Sequence, residues 1–294
     1  MIRAMDKPRW RDLLDGHEPL LLPCAHDALS ARLIARAGFR AYSIGGFPLV
    51  GARHALPDVG LVGLGEMAAG MRDVMAASPL PVLVDGDDGY GDAKNVARTV
   101  RTYEGLGAAA IFIEDQVAPK RCGHMAGKDV VPAAVMEEKL RAAAAARERG
   151  IFLIARTDAR AVHGLDEALR RGERYLKAGA DGVFIEAPET LEEMQTVGRA
   201  FQGVPQLANM LEGGRTPLLS PQELKSMGFA MIAYPTTLIF RVACTIEKAL
   251  ADLAAGRLVL DGEGVDFSAF KAIVGFDEWA KWEIVGAGAK NTVA

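Results

Sequence analysis

Residues 105–115 read GLGAAAIFIED and residues 177–187 read KAGADGVFIEA. In each, a helix-like stretch reaches a glycine, Gly107 or Gly179, an apolar run follows, and the run ends on an acid, Glu114 or Glu186. A glycine after a helical stretch is a C-terminal stop, and a short apolar run bounded by such punctuation is a buried strand. Residues 35–46, ARAGFRAYSIGG, and 226–235, SMGFAMIAYP, repeat the phrase with Gly38 and Gly228 in the same role. Apolar runs at 20–23, 82–84, 151–155 and 206–208 fill the intervals, giving eight candidate strands.

Segments of helical composition separate them, including 66–77, 93–104, 137–149, 165–177 and 191–201. Strands that alternate with helices and carry no polar face imply a parallel sheet covered on both sides. Eight such units favour closure, and no G-x-G-x-x-G opens the first helix. The expected fold class is therefore α/β, a TIM-type (β/α)8 barrel over residues 1–256. The alternation breaks after Gly256, and residues 257–294 read as a helical tail whose Phe267, Phe270, Phe276, Trp279 and Trp282 need burial, for which a neighbouring subunit is a reasonable place.

The chain of 294 residues is 50% hydrophobic and 24% charged, ample for one large core. Its net charge of -4, with both signs interspersed, excludes a polyanion-binding surface, so nucleic acid is not an expected partner. No signal-peptide core and no run of membrane-spanning length are visible, which predicts no membrane association and a cytoplasmic protein. Cys24, Cys122 and Cys244 are odd in number and widely spaced, which suits neither a disulfide framework nor a zinc site.

The residues just past the strands are Asp85 and Asp87, Glu114 and Asp115, Arg156 and Asp158, Glu186 and Asn209. In such a barrel the strand C-termini build the active site. Any one of these alone reads better as a helix cap or a structural ion pair, and Asp115 and Asp158 are expected to be such residues. Several carboxylates with few cations, however, repel one another unless something positive lies between them, and a hard divalent cation answers that need. No strand end carries Lys, so a Schiff-base mechanism lacks a nucleophile there. The polar, glycine-containing segment 120–128, KRCGHMAGK, reads as a lid, with Cys122 made acidic by Lys120, Arg121 and His124.

VDGDDGYG, IEDQVAPKRCGH, ARTDA, FIEAP and ANMLEGGRTPL, in this order, resemble the isocitrate lyase/phosphoenolpyruvate mutase superfamily over roughly residues 20–250. The resemblance implies Mg²⁺, with Mn²⁺ an alternative, bound by Asp85, with Asp87 and Glu114 acting through coordinated water and Asp58 close by. It implies that Cys122 protonates a carbanionic product, that Arg156, Glu186 and Asn209 grip substrate oxygens or support catalysis, and that Gly123 and His124 belong to a gating loop. Backbone amides of residues 42–47, including Tyr42, Gly45, Gly46 and Phe47, would hold a keto-acid carboxylate, with Thr216 also on the substrate side. A homotetramer with exchanged C-terminal helices would bury the aromatic tail.

Two departures narrow the substrate. Relatives usually carry Ser or Thr where Gly45 stands, and methylisocitrate lyases carry an Arg where YPTTLIFR places Phe240, with Arg241 one residue later. An apolar ring in place of a bidentate cation penalises a tricarboxylate. KRCGHMAGK, ARTDARAVHGLDEA and ANMLEGGRTPL are similar to the branch of the superfamily that holds dimethylmalate lyases, petal-death proteins and carboxyvinyl-carboxyphosphonate phosphorylmutase-like enzymes. The expectation is a carbon–carbon lyase that splits a small alkyl-substituted 2-hydroxy dicarboxylate into an α-keto acid and a carboxylate. The alternatives are 2-methylisocitrate cleavage, phosphonomutase chemistry and oxaloacetate hydrolysis. Tyr42, or a water held by Glu114 or Glu186, is the candidate base.

Overall fold

The computed structural model describes residues 8–16, 18–123, 127–258 and 262–282. By internal contacts the chain forms two compact units, Met1–Phe240 and Arg241–Ala294. The boundary thus falls inside a helix, Thr237–Ala254, rather than after Gly256.

The first unit opens with α1 (Trp10–Leu14), then alternates β1 (Leu20–Pro23), α2 (Ala28–Arg36), β2 (Tyr42–Ile44), α3 (Gly46–His54), α4 (Leu64–Ala76), β3 (Val82–Asp85), α5 (Ala93–Leu106) and β4 (Ala110–Glu114). It continues through α6 (Ala133–Ala146), β5 (Phe152–Thr157), α7 (Ala159–His163), α8 (Leu165–Lys177), β6 (Gly182–Ile185), α9 (Leu191–Ala200), β7 (Leu207–Asn209), α10 (Pro221–Met227) and β8 (Met231–Tyr234). The strands pair in parallel in two runs, β2-β3-β4-β5-β6 and β1-β8-β7. Isolated parallel bridges, Cys24 with Ser43 and Val183 with Gln206, join the runs at both seams, so the strands close into a barrel. The repeated helix–glycine–strand phrase is the local cause: Gly107 and Gly228 end α5 and α10 at φ 98° and 99°, a left-handed conformation that releases the chain into the next strand.

Strand alternation sorts every side chain to the inside or the outside of the barrel. Leu20, Leu22, Leu83, Phe112, Phe184 and Met231 share one cluster that draws on strands all round the barrel, which only the interior allows. Trp10 joins it and its indole N–H donates to Met231 Sδ at 3.4 Å, so α1 stops the end where the strands begin. Tyr42, Ile44, Val84, Ile111, Ile113 and Leu153, one residue out of step, pack outward against the helices.

In the second unit, α11 (Thr237–Ala254, which begins in the first) carries exposed Val242, Ile246, Leu250 and Leu253 at helical spacing, and α12 (Phe267–Val274) exposes Phe267, Phe270 and Val274. Trp279 and Trp282 are 64% and 69% exposed among the described residues.

Candidate active site

The inward positions nearest the strand C-termini are Cys24, Ser43, Asp85, Glu114, Arg156, Glu186 and Asn209, a polar layer stacked directly on the apolar filling. Arg156 shows the junction, since its guanidinium lies over the rings of Phe112 and Phe184, at 5.9 and 5.2 Å from their centroids.

Asp85 is fixed by two backbone donors: the amide of Gly46 reaches Oδ2 at 2.8 Å and that of Asp87 reaches Oδ1 at 2.9 Å. Gly46 starts α3, so Asp85 sits on a helix N-terminus, where unpaired amides and the helix dipole favour negative charge. Asp87 holds a left-handed backbone at φ 47°, a conformation that Asp tolerates better than most side chains, and this turns it back toward Asp58 and Asp85. The turn is tight beneath it as well, because a Cβ on Gly86 would come within 2.7 Å of the Phe112 carbonyl.

Lys120 lies among these acids, its Nζ 2.6 Å from Asp58 Oδ1 and 2.7 Å from Asp87 Oδ1. Sequence reasoning counted this residue only as a neighbour of Cys122. Burial opposes its positive charge, but Asp87, Asp85, Glu114 and Asp58 outweigh that and hold it protonated well above the ordinary range. An ammonium so held is no Schiff-base nucleophile. Burial and the Asp87 charge nonetheless push Asp85 up to about 6, against the pull of Lys120 and Arg156. Burial likewise raises Glu114 strongly and Asp58 to a lesser degree.

A second group centres on Arg156. Its Nε and Nη2 donate to Asp158 at 3.0 and 3.1 Å, its Nη1 is 3.2 Å from Glu114 Oε2, and Glu186 Oε2 lies 3.6 Å from Nε. Asn209 donates to Glu186 Oε1 at 3.3 Å. Asp115, one residue beyond Glu114 and therefore on the other face, accepts from Thr157, Arg171 and Tyr175 and serves the scaffold.

One cavity gathers Gly45, Gly46, Phe47, Asp58, Asp85, Lys120, Cys122, Gly123, Arg156, Glu186 and Asn209 on its wall. Glu114 reaches it through Arg156, and Asp87 through Lys120. Gly123 approaches so closely that a Cβ there would lie 2.5 Å from Arg156 Nη2 and 2.7 Å from the Glu186 carboxyl carbon, so the loop after β4 is folded down over the site. Phe47, Leu211 and Pro235 give the same cavity an apolar side, and Phe240 packs edge-on to Phe47 with centroids 6.1 Å apart.

Three expectations need correction or limits. Tyr42 belongs to the outer packing layer, fully buried between barrel and helices, and does not face the cavity; the inward residues of that segment are Ser43 and Gly45, as counting in twos would have shown. Thr216 is buried with no hydrogen-bond partner for its hydroxyl among the described residues, and it is absent from the cavity wall. His124 lies outside the described residues. The Gly45 departure has a steric counterpart: a Cβ there would meet Pro48 Cδ at 3.3 Å and Cys24 Sγ at 3.4 Å, so Cys24 fills room that a hydroxyl side chain would need. The Gly45 amide donates to Cys24 Sγ at 3.1 Å, and burial pushes that thiol up to about 11.

The donor set suits a hard cation, being all carboxylate oxygen, and Glu114 Oε1 is buried with no hydrogen-bond partner among the described residues. Among those residues no three of His, Cys, Asp or Glu stand close enough to cage a metal unaided. Mg²⁺ does not require that, because it keeps several waters and takes one or two carboxylates directly. The residues fit such an ion held mainly by Asp85.

Comparison with known proteins follows the same lines. The family described as phosphoenolpyruvate phosphomutase matches residues 10–254. The petal death protein of Dianthus caryophyllus is 43% identical over 94% of this chain and 88% of its own length. The 2,3-dimethylmalate lyase of Eubacterium barkeri is 45% identical over 83% of each chain, and the 2-methylisocitrate lyase of Bacillus subtilis 40% identical over 82% of this chain and 79% of its own. Among solved structures, oxaloacetate acetylhydrolase with 3,3-difluorooxalacetate superposes with a TM-score of 0.90 at 30% identity, covering 95% of this chain and 96% of its own. A 2,3-dimethylmalate lyase superposes at 0.89 and 36%, covering 97% and 96%. Phosphonopyruvate hydrolase, solved with oxalate and Mg²⁺, does so at 0.83 and 28%, covering 93% and 96%. The relatives are lyases, mutases and hydrolases of related keto and hydroxy acids, and carbon–carbon bond cleavage by this chain is consistent with them.

Proposed function

Because this chain belongs to the phosphoenolpyruvate phosphomutase family, we propose that it is a Mg²⁺-dependent lyase that splits a malate-like 2-hydroxy dicarboxylate bearing small alkyl groups into an α-keto acid, such as pyruvate, and a second carboxylate. The observation that carries this reading is the meeting of Cys122 with Arg156, Glu186, Asn209 and the Asp85 cluster around one cavity.

When bound at Asp85, with Asp87, Glu114 and Asp58 nearby, Mg²⁺ supplies Lewis-acid polarisation of the substrate's oxygens. The chain does the rest. The first turn of α3, at Gly46 and Phe47, offers amides to the keto-acid carboxylate. Arg156 and Asn209 orient the other oxygens, and Arg156 is pre-aligned by Asp158 and Glu114, so little ordering remains for the bound state. With Tyr42 turned away, the hydroxyl proton goes to Glu186 on the cavity wall, or through a water to Glu114 behind Arg156. The C2–C3 bond then breaks, its electron pair stays on the departing carboxylate fragment, and Cys122 gives that fragment a proton. The folded-down loop keeps bulk water from the carbanion. Phe47, Leu211 and Pro235 suit alkyl substituents better than a third carboxylate, which an apolar wall would desolvate.

The test is keto-acid release from 2,3-dimethylmalate, 2-methylmalate, 2-methylisocitrate and isocitrate, coupled to lactate dehydrogenase, with oxaloacetate followed by its absorbance. Pyruvate from the alkylmalates, lost with chelator and restored by Mg²⁺, is expected. Preference for a tricarboxylate would replace the substrate class, and consumption of oxaloacetate alone would turn the reading to hydrolysis.

Asp85 also sets a pH dependence. A proton and the cation compete for the same carboxylate, which is bare above its folded pKa and protonated below it. Mn²⁺ affinity measured by electron spin resonance is therefore expected to hold at neutral pH and to weaken as pH falls through about 6. Affinity that does not change across that range would remove Asp85 as the ligand.

We further propose that the protein is a homotetramer in which the apolar stripes of α11 and α12 and the exposed tryptophans are covered by neighbouring copies. A light-scattering mass of one chain would refute this.

A further inference from the structure

Lys128 has no part in the reaction just described, yet its side chain is only 2% exposed and it meets two partners of unequal kind. Its Nζ is 2.6 Å from Asp158 Oδ1, and the same ammonium donates to the backbone carbonyl of Gly123. Asp158 is fully buried and is held from the other side by the Nε and Nη2 of Arg156 at 3.0 and 3.1 Å. It is anchored to the scaffold as well, because its amide donates to Asp115 Oδ1 at 2.9 Å. Asp115 is itself fixed by Thr157, Arg171 and Tyr175.

These contacts form one chain of charges. Gly123 follows Cys122 directly, so the ammonium of Lys128 ties the peptide carrying the candidate proton donor to the carboxylate that aims Arg156. The loop's two ends are sewn to each other, the Val117 amide donating to the Asp129 carbonyl and the Val131 amide to the Asp115 carbonyl, while the Gln116 side chain accepts from the Arg121 amide and donates to the Arg121 carbonyl. Among the described residues, Lys120 on Asp58 and Asp87, and Lys128 beneath Gly123, add ties downward on either side of Cys122. A buried ammonium shared between a carbonyl and a carboxylate is a costly element, since each group must give up water, and it persists only where geometry repays that.

We infer that Lys128 is a positioning residue: by bridging the Gly123 carbonyl to Asp158 it holds Gly123 down on Arg156 and so keeps the neighbouring Cys122 on the wall of the cavity. Lys128 touches no substrate in this arrangement. Its loss leaves Asp158 still paired with Arg156, so the guanidinium keeps its orientation while the Gly123 peptide loses this tie. Substrate binding is then largely retained, and the step that needs Cys122 in place suffers. The catalytic half of this inference rests on the lyase reading, and the structural half does not.

The test uses the full-length protein with Lys128→Met and measures the rate at which iodoacetamide labels Cys122, resolved by mass spectrometry from buried Cys24 and exposed Cys244. Labelling of Cys122 is expected to rise about tenfold, with Cys24 and Cys244 unchanged, as the loop opens more often. On the best lyase substrate, kcat is expected to fall about tenfold or more while KM moves by less than about threefold. Lys128→Gln, which keeps a donor for Gly123 without the charge, should lie between, and it takes the same criterion should Met at 128 prevent folding. Cys122 labelling within about twofold of the parent protein would overturn the inference, since a thiol that is half-buried with the tie in place becomes more accessible once the tie is lost. Because labelling needs no substrate, a chain inactive on the whole panel would refute the lyase reading and leave this outcome separately readable.

Discussion

Cys122→Ser is expected to lower keto-acid release by about 10²–10⁴-fold, the range over which a positioned general acid contributes. A serine hydroxyl is close in size but a far weaker acid, so the carbanion left by C2–C3 cleavage loses its proton source while the cavity keeps its shape. Cys122 is not among the candidate Mg²⁺ ligands, and Mn²⁺ affinity should stay within about threefold of the parent protein. Steady-state turnover on the best alkylmalate and Mn²⁺ titration of both proteins supply the measurement. Turnover near that of the parent protein would show that the proton comes from water or another residue, and the assignment of Cys122 would fall.

Gly123→Ala is expected to lower kcat/KM by about 10²-fold or more, because displacing a reacting group by roughly an ångström has that effect. The added methyl would lie 2.5 Å from Arg156 Nη2 and 2.7 Å from the Glu186 carboxyl carbon. Neither neighbour can give way: Arg156 is held by Asp158 and Glu114, and Glu186 is fully buried with Asn209 upon it. Gly123 is not in a left-handed conformation, so alanine is acceptable to its backbone and the conflict is one of approach alone. The loop must therefore lift, taking Cys122 with it, while the barrel stays folded. The measurement pairs kcat/KM with the midpoint of urea unfolding. A parent-like kcat/KM would mean that the loop stands higher during turnover than in this structure, and a collapsed midpoint would mean that the methyl disturbs the barrel itself.

Much of this site was legible because a strand has a period of two and a barrel has one inside. Once the eight strands are marked, Asp85, Glu114, Arg156, Glu186 and Asn209 follow as the last inward residues. Tyr42 shows the same rule neglected, since it stands beside Ser43 and Gly45 in sequence but on the other face. Gly45 was legible as a departure and not in its cause, because the Cys24 sulfur that fills the space comes from β1, a different strand.

The two lysines were beyond such counting. Lys120 and Lys128 belong to a loop whose side chains obey no period, and their partners Asp58, Asp87 and Asp158 lie on three other segments. The boundary at Phe240 was hidden for a similar reason, since α11 runs through it without any break in composition.

The sequence by itself determined the repeated helix–glycine–strand unit, the closure of eight such units, and the ring of acids, arginine and amide at the strand ends. These depend on local conformation and on hydrophobic periodicity, which neighbouring residues carry. Only the tertiary structure decided which ammonium enters the carboxylate cluster, how closely Gly123 descends on Arg156, and which carboxylate Lys128 grips. Those contacts join segments far apart in the chain, and their energies depend on burial and on distances of a few ångströms that no local pattern records.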